Sequence, residues 1–123
     1  MQLYHLDWEK SSARSRDDHF KIISPLASDD RTFVRKMFDE GDLYELVATS
    51  DVDDIEEVYK ATQNGVVSDS WSLDPPSIIS PTEPNFHAGP DGKKYGRRST
   101  SMGDIIVKDG KVLLCATMGF QEI

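Results

Sequence analysis

Alternating apolar and polar positions predict β-strands at both ends of the chain and near its middle. The run QLYHL at residues 2–6 places Leu3 and His5 on one side of an extended chain, and LYELVA at residues 43–48 alternates in the same way. Near the C-terminal end, DIIV and KVLLCATM flank KDGK, whose Asp-Gly pair favours a two-residue turn. This pattern predicts a hairpin over residues 104–118, and GFQEI then reads as one more short strand.

A repeat of three to four residues predicts a helix that ends before Gly41, a residue suited to a C-terminal cap. Its cap at the other end is expected among Ser28, Asp29 and Asp30. The apolar stripe of this helix is expected to face the core rather than a ligand. The stripe consists of Phe33, Val34, Met37 and Phe38.

A second helix is predicted over about residues 52–62, with Ser50 or Asp51 as its N-terminal cap. Acidic side chains in the first turn suit the positive end of the helix dipole. The buried stripe of this helix is expected to contain Val52, Ile55, Val58 and Tyr59.

The remaining segments lack a clear repeat. The polar run EKSSARSRDD reads as a loop, and HFKII at residues 19–23 reads as a short strand that Pro25 interrupts. Residues 65–97 hold four prolines within fourteen residues and several turn residues, which predicts a long loop within one domain. The side chains expected to pin this loop to the core are Trp71, Ile78, Ile79 and Phe86. Trp71 is also a candidate binding residue.

Together these elements predict one α+β domain over residues 1–123, with a small antiparallel sheet, two packed helices and a C-terminal hairpin. The single cysteine, Cys115, excludes an internal disulfide and fits a reducing compartment. The first residues lack the features of a signal peptide, and no apolar run approaches the roughly 20 residues that span a bilayer. The sequence therefore predicts a soluble cytoplasmic protein without membrane contact.

Charge is unevenly distributed along this acidic chain, whose formal net charge is −8. Residues 39–57 contain nine acidic and no basic residues, whereas residues 93–98 contain four basic ones. The overall charge disfavours general binding to phosphate backbones. The acidic run either imitates nucleic-acid phosphates or is an ordinary solvated surface near a helix start. The basic residues that remain candidates for an anion or nucleic-acid contact are Lys93, Lys94, Arg97 and Arg98.

No recognised catalytic, metal or cofactor motif is present. His5, His19 and His87 are far apart in sequence, unlike the ligands of common zinc motifs. Cys115 lies in an apolar strand, where cysteine behaves as a small buried hydrophobe. The hydroxyl cluster at residues 99–101 leads into a strand rather than a helix, so we interpret it as the start of a hairpin rather than a phosphate loop. We predict no metal and no cofactor.

The C-terminal sequence RSTSMGDIIVKDGKVLLCATMGFQEI resembles the end of YodL-like domains, which occur on bacteriophages and mobile elements. QLYHL, LYELV and DVDDIEEVYKATQN match this family in order and approximate spacing, and TQN…SWSLDP resembles phage-encoded relatives. The resemblance covers residues 2–6 and 42–123 apart from the proline-rich segment. It implies a mobile-element origin and a compact α+β fold, and it carries no catalytic residues to this chain.

The leading functional hypothesis is a non-enzymatic accessory protein that binds another protein. Its sharper form is an antagonist that meets a host nucleic-acid-binding defence protein by charge complementarity. The candidate acidic residues are Asp51, Asp53, Asp54, Glu56 and Glu57. Two alternatives remain: a nucleic-acid-binding regulator that uses the basic segment, and a small enzyme that uses His19, His87 or Ser101.

Overall fold

The structure, a computed structural model, describes residues 1–23, 31–117 and 119–123. The fold is α+β, as predicted, and the described residues contain four helices and eight strands. The helices are α1 (Trp8–Arg14), α2 (Arg16–Ile23), α3 (Arg31–Glu40) and α4 (Ile55–Ala61). The strands are β1 (Gln2–Leu6), β2 (Tyr44–Thr49), β3 (Ser80–Pro81), β4 (Phe86–Ala88), β5 (Lys94–Gly96), β6 (Ile105–Lys108), β7 (Lys111–Ala116) and β8 (Gly119–Glu122).

Six strands form one sheet in the order β3-β2-β1-β6-β7-β8, and β4 and β5 form a separate two-stranded sheet. The pairs β2–β3, β4–β5, β6–β7 and β7–β8 are antiparallel. The predicted C-terminal hairpin is confirmed: Lys108 pairs with Lys111, and Asp109 and Gly110 both have positive φ angles, as its two-residue turn requires. The strand predicted in GFQEI is also confirmed as β8.

The chain divides into two compact units, which we describe separately. Unit 1 contains residues 1–2 and 47–100, and unit 2 contains residues 3–46 and 101–123. The core of unit 2 joins α2 and α3 to its strands. It contains Leu6, Ile22, Val34, Met37, Leu43, Tyr44, Ile105, Val112 and Leu114. The buried apolar side chains of unit 1 are Val47, Ala48, Val58, Ala61, Trp71 and Ile79.

The predicted helix before Gly41 is confirmed as α3. It buries Val34 and Met37, while Phe33 and Phe38 pack against the same core at partial exposure. Gly41 has a φ of +81° and its N–H donates to the Phe38 carbonyl, so it caps the helix as expected. The cap proposed for the other end, at residues 28–30, lies outside the described residues, as do Pro25 and residue 118.

Two predictions for the N-terminal region are wrong. Residues 8–14 form α1 instead of a loop, and residues 16–23 form α2 instead of ending in a strand. Asp7 caps α1 by accepting the Lys10 N–H at 3.0 Å. Each of these helices buries one residue, Ser11 in α1 and Ile22 in α2. Their sequences therefore lack the apolar stripe that reveals a helix, and the segment carries its helical signal mainly in its cap and in the charges at its ends.

Two further boundaries differ from the prediction. Helix α4 begins at Ile55 and is capped by Asp54, which accepts the Glu56 N–H at 2.9 Å. Ser50 is not its cap, because its hydroxyl donates to the Ile78 carbonyl. The segment predicted as a loop over residues 65–97 contains the three short strands β3, β4 and β5. Trp71 and Ile79 are buried and pin it to unit 1, as expected, while Ile78 and Phe86 are only half-buried.

Candidate binding surfaces

The hydroxyl-rich segment before β6 is a structural turn. The Asp104 N–H donates to the Ser101 carbonyl at 3.0 Å, and Gly103 has a φ of +93° while Met102 does not have a positive φ, which defines a type II turn. The Gly103 N–H donates to the Cys115 carbonyl, and the Cys115 N–H donates to the Asp104 carbonyl. Gly103 and Asp104 therefore both oppose Cys115 of β7. Because the first of the two is a glycine with positive φ, this arrangement is a G1 β-bulge.

The bulge turns the Asp104 side chain into unit 2, where it is fully buried. One carboxylate oxygen accepts the Leu6 N–H at 2.8 Å, and the other accepts the Ser101 N–H at 2.7 Å. The second oxygen also lies 3.8 Å from Nε2 of the buried His5. Asp104 thus fastens β1 and the type II turn to the start of β6. Gly103 is required here because a Cβ atom would lie 3.1 Å from a methyl group of Ile23 in an already unfavourable φ region.

In unit 1, a polar network holds the extended segment 97–100. The indole N–H of Trp71 donates to the Arg98 carbonyl at 2.8 Å. The Asn64 amide donates to the Arg97 carbonyl, and the Gln63 amide donates to the Thr100 carbonyl. Because side chains satisfy these carbonyls, the segment is held without belonging to a sheet. Trp71 is fully buried, so its role is in the core of unit 1 and not at a contact surface.

Two of the three clustered hydroxyl groups belong to the same network. The Ser99 hydroxyl accepts the Asn64 N–H at 2.9 Å. The Thr100 hydroxyl lies 2.8 Å from that of Thr62 in a fully buried contact, and the Thr100 N–H donates to the Thr62 carbonyl. These contacts support the interpretation of the cluster as structural rather than phosphate-binding.

The two arginines of the basic segment have internal hydrogen bonds. Arg97 donates from its guanidinium to the Pro84 carbonyl at 2.9 Å and from its backbone to the Ser72 hydroxyl at 2.8 Å. Arg98 donates from its guanidinium to the Ser99 carbonyl at 3.0 Å. Both side chains are half-buried. Both guanidinium groups therefore donate hydrogen bonds to backbone carbonyls of unit 1, which gives the two arginines a structural role.

The two lysines of the segment are exposed on the hairpin formed by β4 and β5. Lys94 places its ammonium group 4.5 Å from the centre of the Phe86 ring, a cation–π contact. On the other face, His87 lies opposite Tyr95, and the two rings stack with centres 5.9 Å apart at an angle of 23°. The hairpin therefore exposes the His87–Tyr95 stack on one face and also carries two exposed lysines, of which Lys94 lies on the other face.

The loop of this hairpin contains a short hydrogen-bonded pair. Asp91 accepts the Lys93 N–H at 3.0 Å and the Tyr95 hydroxyl at 2.8 Å. The Lys93 N–H first, and the Tyr95 hydroxyl second, hold the pKa of the Asp91 carboxyl below its ordinary 3.8. The same bond to Asp91 raises the pKa of the Tyr95 phenol above its ordinary 10.0. The hydrogen bond between Asp91 and Tyr95 therefore stabilises the hairpin while Asp91 is ionised and Tyr95 is protonated.

Replacing Asp91 with asparagine is expected to lower the pKa of the Tyr95 phenol toward 10.0, because the neutral amide no longer opposes the phenolate. In the unaltered protein, the Asp91 contribution to hairpin order is expected to be lost as the pH falls below 3.8, because the folded-state pKa is depressed. The Tyr95 contribution is expected to be lost as the pH rises above 10.0, because that pKa is raised. NMR titration of the Tyr95 ring measures both effects, with Asp69→Asn as the control. An unchanged tyrosine pKa in Asp91→Asn contradicts the assignment.

The acidic run lies at the beginning of α4 in unit 1, and all five of its candidate residues are exposed. Asp54 has a structural role as the N-cap, and Glu56 and Glu57 occupy the first helical turn, where they favour the helix dipole. Within the described part of the chain, Asp51, Glu56 and Glu57 form no ion pair. The negative charge of this surface is therefore left largely unneutralised by the protein itself.

The residues considered for catalysis are distributed differently. His87 belongs to the hairpin of unit 1, whereas His19 and Ser101 belong to unit 2. The His19 Nδ1 lies 3.0 Å from the Ser11 hydroxyl, and Ser101 contributes backbone groups to the turn before β6. Among the described residues, no His, Cys, Asp and Glu side chains form a group of three or more that is able to hold a metal ion.

The fold and these surfaces define a small α+β chain with exposed charged surfaces of both signs in unit 1. Comparison with protein-family models, with curated proteins and with solved structures found no match to the chain. Within residues 1–23, 31–117 and 119–123, no helix is both long and apolar enough to cross a membrane.

Proposed function

We propose that the protein is a non-enzymatic binding module that acts through the acidic surface at the start of α4. This acidic surface comprises Asp51, Asp53, Asp54, Glu56 and Glu57. The observation that carries the proposal is that these five side chains are exposed together, while those of Asp51, Glu56 and Glu57 have neither an ion pair nor a hydrogen bond in the described structure. Like charges held close together repel one another, and a basic partner surface removes that cost.

The partner of the acidic surface is a protein rather than a nucleic acid. The acidic surface and the net charge of −8 both repel phosphate groups. A protein that normally binds nucleic acid offers the complementary basic surface. The sharper proposal is therefore that this chain is a cytoplasmic antagonist of a host nucleic-acid-binding defence protein, with carboxylates in the place of phosphates.

Helix α4 is well suited to present these charges. Thr62, at its C-terminal cap, and Gln63 bond to Thr100, and Asn64 bonds to the segment that Trp71 also holds. This network fixes the end of the helix opposite to the acidic surface. A surface on a fixed element loses less conformational freedom when a partner binds, and this favours affinity.

We further propose that the chain is a YodL-like domain encoded by a phage or mobile element. The motif that carries this resemblance, RSTSMGDII, coincides with the type II turn, the G1 bulge and the buried Asp104. The TQN…SW residues coincide with the network around Trp71. Since these residues stabilise the fold, a shared motif supports a common fold and assigns no catalytic group.

Neutralising the three acids whose side chains have neither an ion pair nor a hydrogen bond is expected to abolish capture of the partner. The test variant is Asp51→Asn, Glu56→Gln, Glu57→Gln, which leaves the Asp54 cap in place. The matched control, Asp69→Asn, Asp74→Asn, Glu83→Gln, removes the same charge from exposed positions of the same unit. Pull-down from host lysate with quantitative mass spectrometry measures both variants.

The proposal expects a nucleic-acid-binding protein that the unaltered chain and the control retain, that the test variant loses by at least about tenfold, and that moderate salt releases. If the test variant captures the same proteins as the control, the acidic surface is not the binding site. If no nucleic-acid-binding protein is captured at low salt, the antagonist proposal is wrong.

A further inference from the structure

The β4–β5 hairpin, which forms a sheet of its own, holds the exposed ring of Tyr95 in a defined position. Tyr95 is 44% exposed, yet three neighbours fix its ring. His87 stacks on it, Asp91 accepts its hydroxyl, and Gly89 packs so closely that an added Cβ would lie 2.3 Å from a ring carbon. The hairpin loop is therefore shaped around a ring that remains accessible to a ligand.

Positive charge accompanies these rings. Lys93 and Lys94 are both exposed and directly precede Tyr95 in sequence. The cation–π contact with Phe86 holds the Lys94 ammonium group on the face of the hairpin opposite to the Tyr95 ring. Asp91 is the one acidic residue of segment 85–96, and its carboxylate already accepts two hydrogen bonds. The hairpin therefore has a local positive charge on an acidic chain.

An accessible aromatic stack beside ammonium groups has the chemistry of a single-stranded nucleic-acid contact. Unpaired bases stack on aromatic rings regardless of sequence, and lysines bind the neighbouring phosphates. In a duplex the faces of the bases are stacked on one another, so they are not available to stack on the aromatic rings of the hairpin. An acidic peptide uses the lysines but leaves the His87–Tyr95 stack unexplained.

We propose that the β4–β5 hairpin binds a short stretch of single-stranded nucleic acid. One base stacks on the exposed side of the His87–Tyr95 pair and Lys93 binds the adjacent phosphate. Lys94, which lies on the Phe86 face of the hairpin, binds the next phosphate where the strand crosses the hairpin edge. The arginines that follow are not part of this contact, because their guanidinium groups bond to backbone carbonyls. This inference does not depend on the acidic surface of α4.

Fluorescence anisotropy with a labelled 12-nucleotide oligo(dT) at low salt tests the proposal. The unaltered chain is expected to bind saturably, and Tyr95→Ala is expected to weaken binding about tenfold through loss of base stacking. Tyr95→Phe keeps the ring and is expected to bind within about twofold of the unaltered chain. This second variant separates loss of the ring from loss of the Asp91 hydrogen bond, since both variants lose the bond.

The lysines are tested by the double variant Lys93→Gln, Lys94→Gln, which is expected to weaken binding about tenfold. The slope of the logarithm of the binding constant against the logarithm of the salt concentration is expected to become shallower by about 1.4, because each phosphate contact on a single strand contributes about 0.7. The matched control is Lys108→Gln, Lys111→Gln, which removes equal charge from the hairpin of β6 and β7. It is expected to change affinity less than twofold.

Three results overturn the proposal: no saturable binding at low salt, equal losses in the two lysine variants, or equal affinity for a 12-residue polyglutamate peptide. The last result identifies a general anion or acidic-peptide contact. The triple variant of the acidic surface is expected to keep its affinity for the oligonucleotide, so failure of this proposal is distinguishable from failure of the proposed function.

Discussion

Replacing Asp104 with alanine is expected to lower the free energy of unfolding by about 3 kcal/mol. The buried Leu6 N–H loses its partner, the Ser101 N–H loses a charge-assisted hydrogen bond, and the buried His5 loses the neighbouring carboxylate. An unsatisfied buried donor costs about 1–3 kcal/mol, and a hydrogen bond to a charged group contributes about 1.5–3 kcal/mol. Urea denaturation followed by far-UV circular dichroism measures the change.

Two variants make this measurement specific. Asp104→Asn retains the volume and one carbonyl acceptor, so its loss of stability is expected to lie between those of the unaltered protein and the alanine variant. Asp42→Ala removes an exposed aspartate of the same unit and is expected to change stability by less than about 0.5 kcal/mol. An Asp104→Ala protein as stable as Asp42→Ala contradicts the fastening role of Asp104.

Truncating Trp71 to alanine is expected to destabilise unit 1 by about 3–5 kcal/mol, the range for a large aromatic residue lost from a core. Its side chain is fully buried, and its indole N–H satisfies the Arg98 carbonyl. The loss is expected to appear in thermal or urea unfolding. Faster amide exchange at Thr100 is also expected, because the segment 97–100 loses one of its side-chain anchors.

The phenylalanine variant separates packing from hydrogen bonding at this position. Trp71→Phe keeps an aromatic ring but leaves the Arg98 carbonyl without its indole donor, so an intermediate loss of stability is expected. Trp8→Phe is the comparison, because Trp8 is 43% exposed and its replacement is expected to cost less than about 1 kcal/mol. Equal effects at Trp71 and Trp8 contradict the core role of Trp71.

The sequence was most informative where a local pattern matched its surroundings. Asp109 and Gly110 specify the turn between β6 and β7 because few residues tolerate two successive positive φ angles. The apolar stripe of α3 defines the face that enters the core of unit 2. Gly41 and Gly110 were recognised because each stands where the chain needs a backbone angle that a side chain opposes.

The candidate surfaces were predicted only in part. The sequence identified the acidic surface, since a run of carboxylates without nearby cations is solvated in any fold. It grouped Lys93, Lys94, Arg97 and Arg98 as one basic segment, although only the two lysines are exposed and the two arginines bond to backbone carbonyls. The stacking of His87 on Tyr95 was missed, because it depends on the pairing of two short strands.

By itself, the sequence determined the α+β class, helix α3, the C-terminal hairpin and the special glycines, because these depend on interactions within a few residues. Only the tertiary structure showed that residues 8–23 form helices, because these helices bury only Ser11 and Ile22. It also revealed the role of Asp104, whose hydrogen-bond partner Leu6 is 98 residues away in sequence. It likewise turned Trp71 from a candidate contact residue into the centre of a core. Burial and long-range hydrogen bonds depend on which segments meet in space, and local patterns carry little of that information.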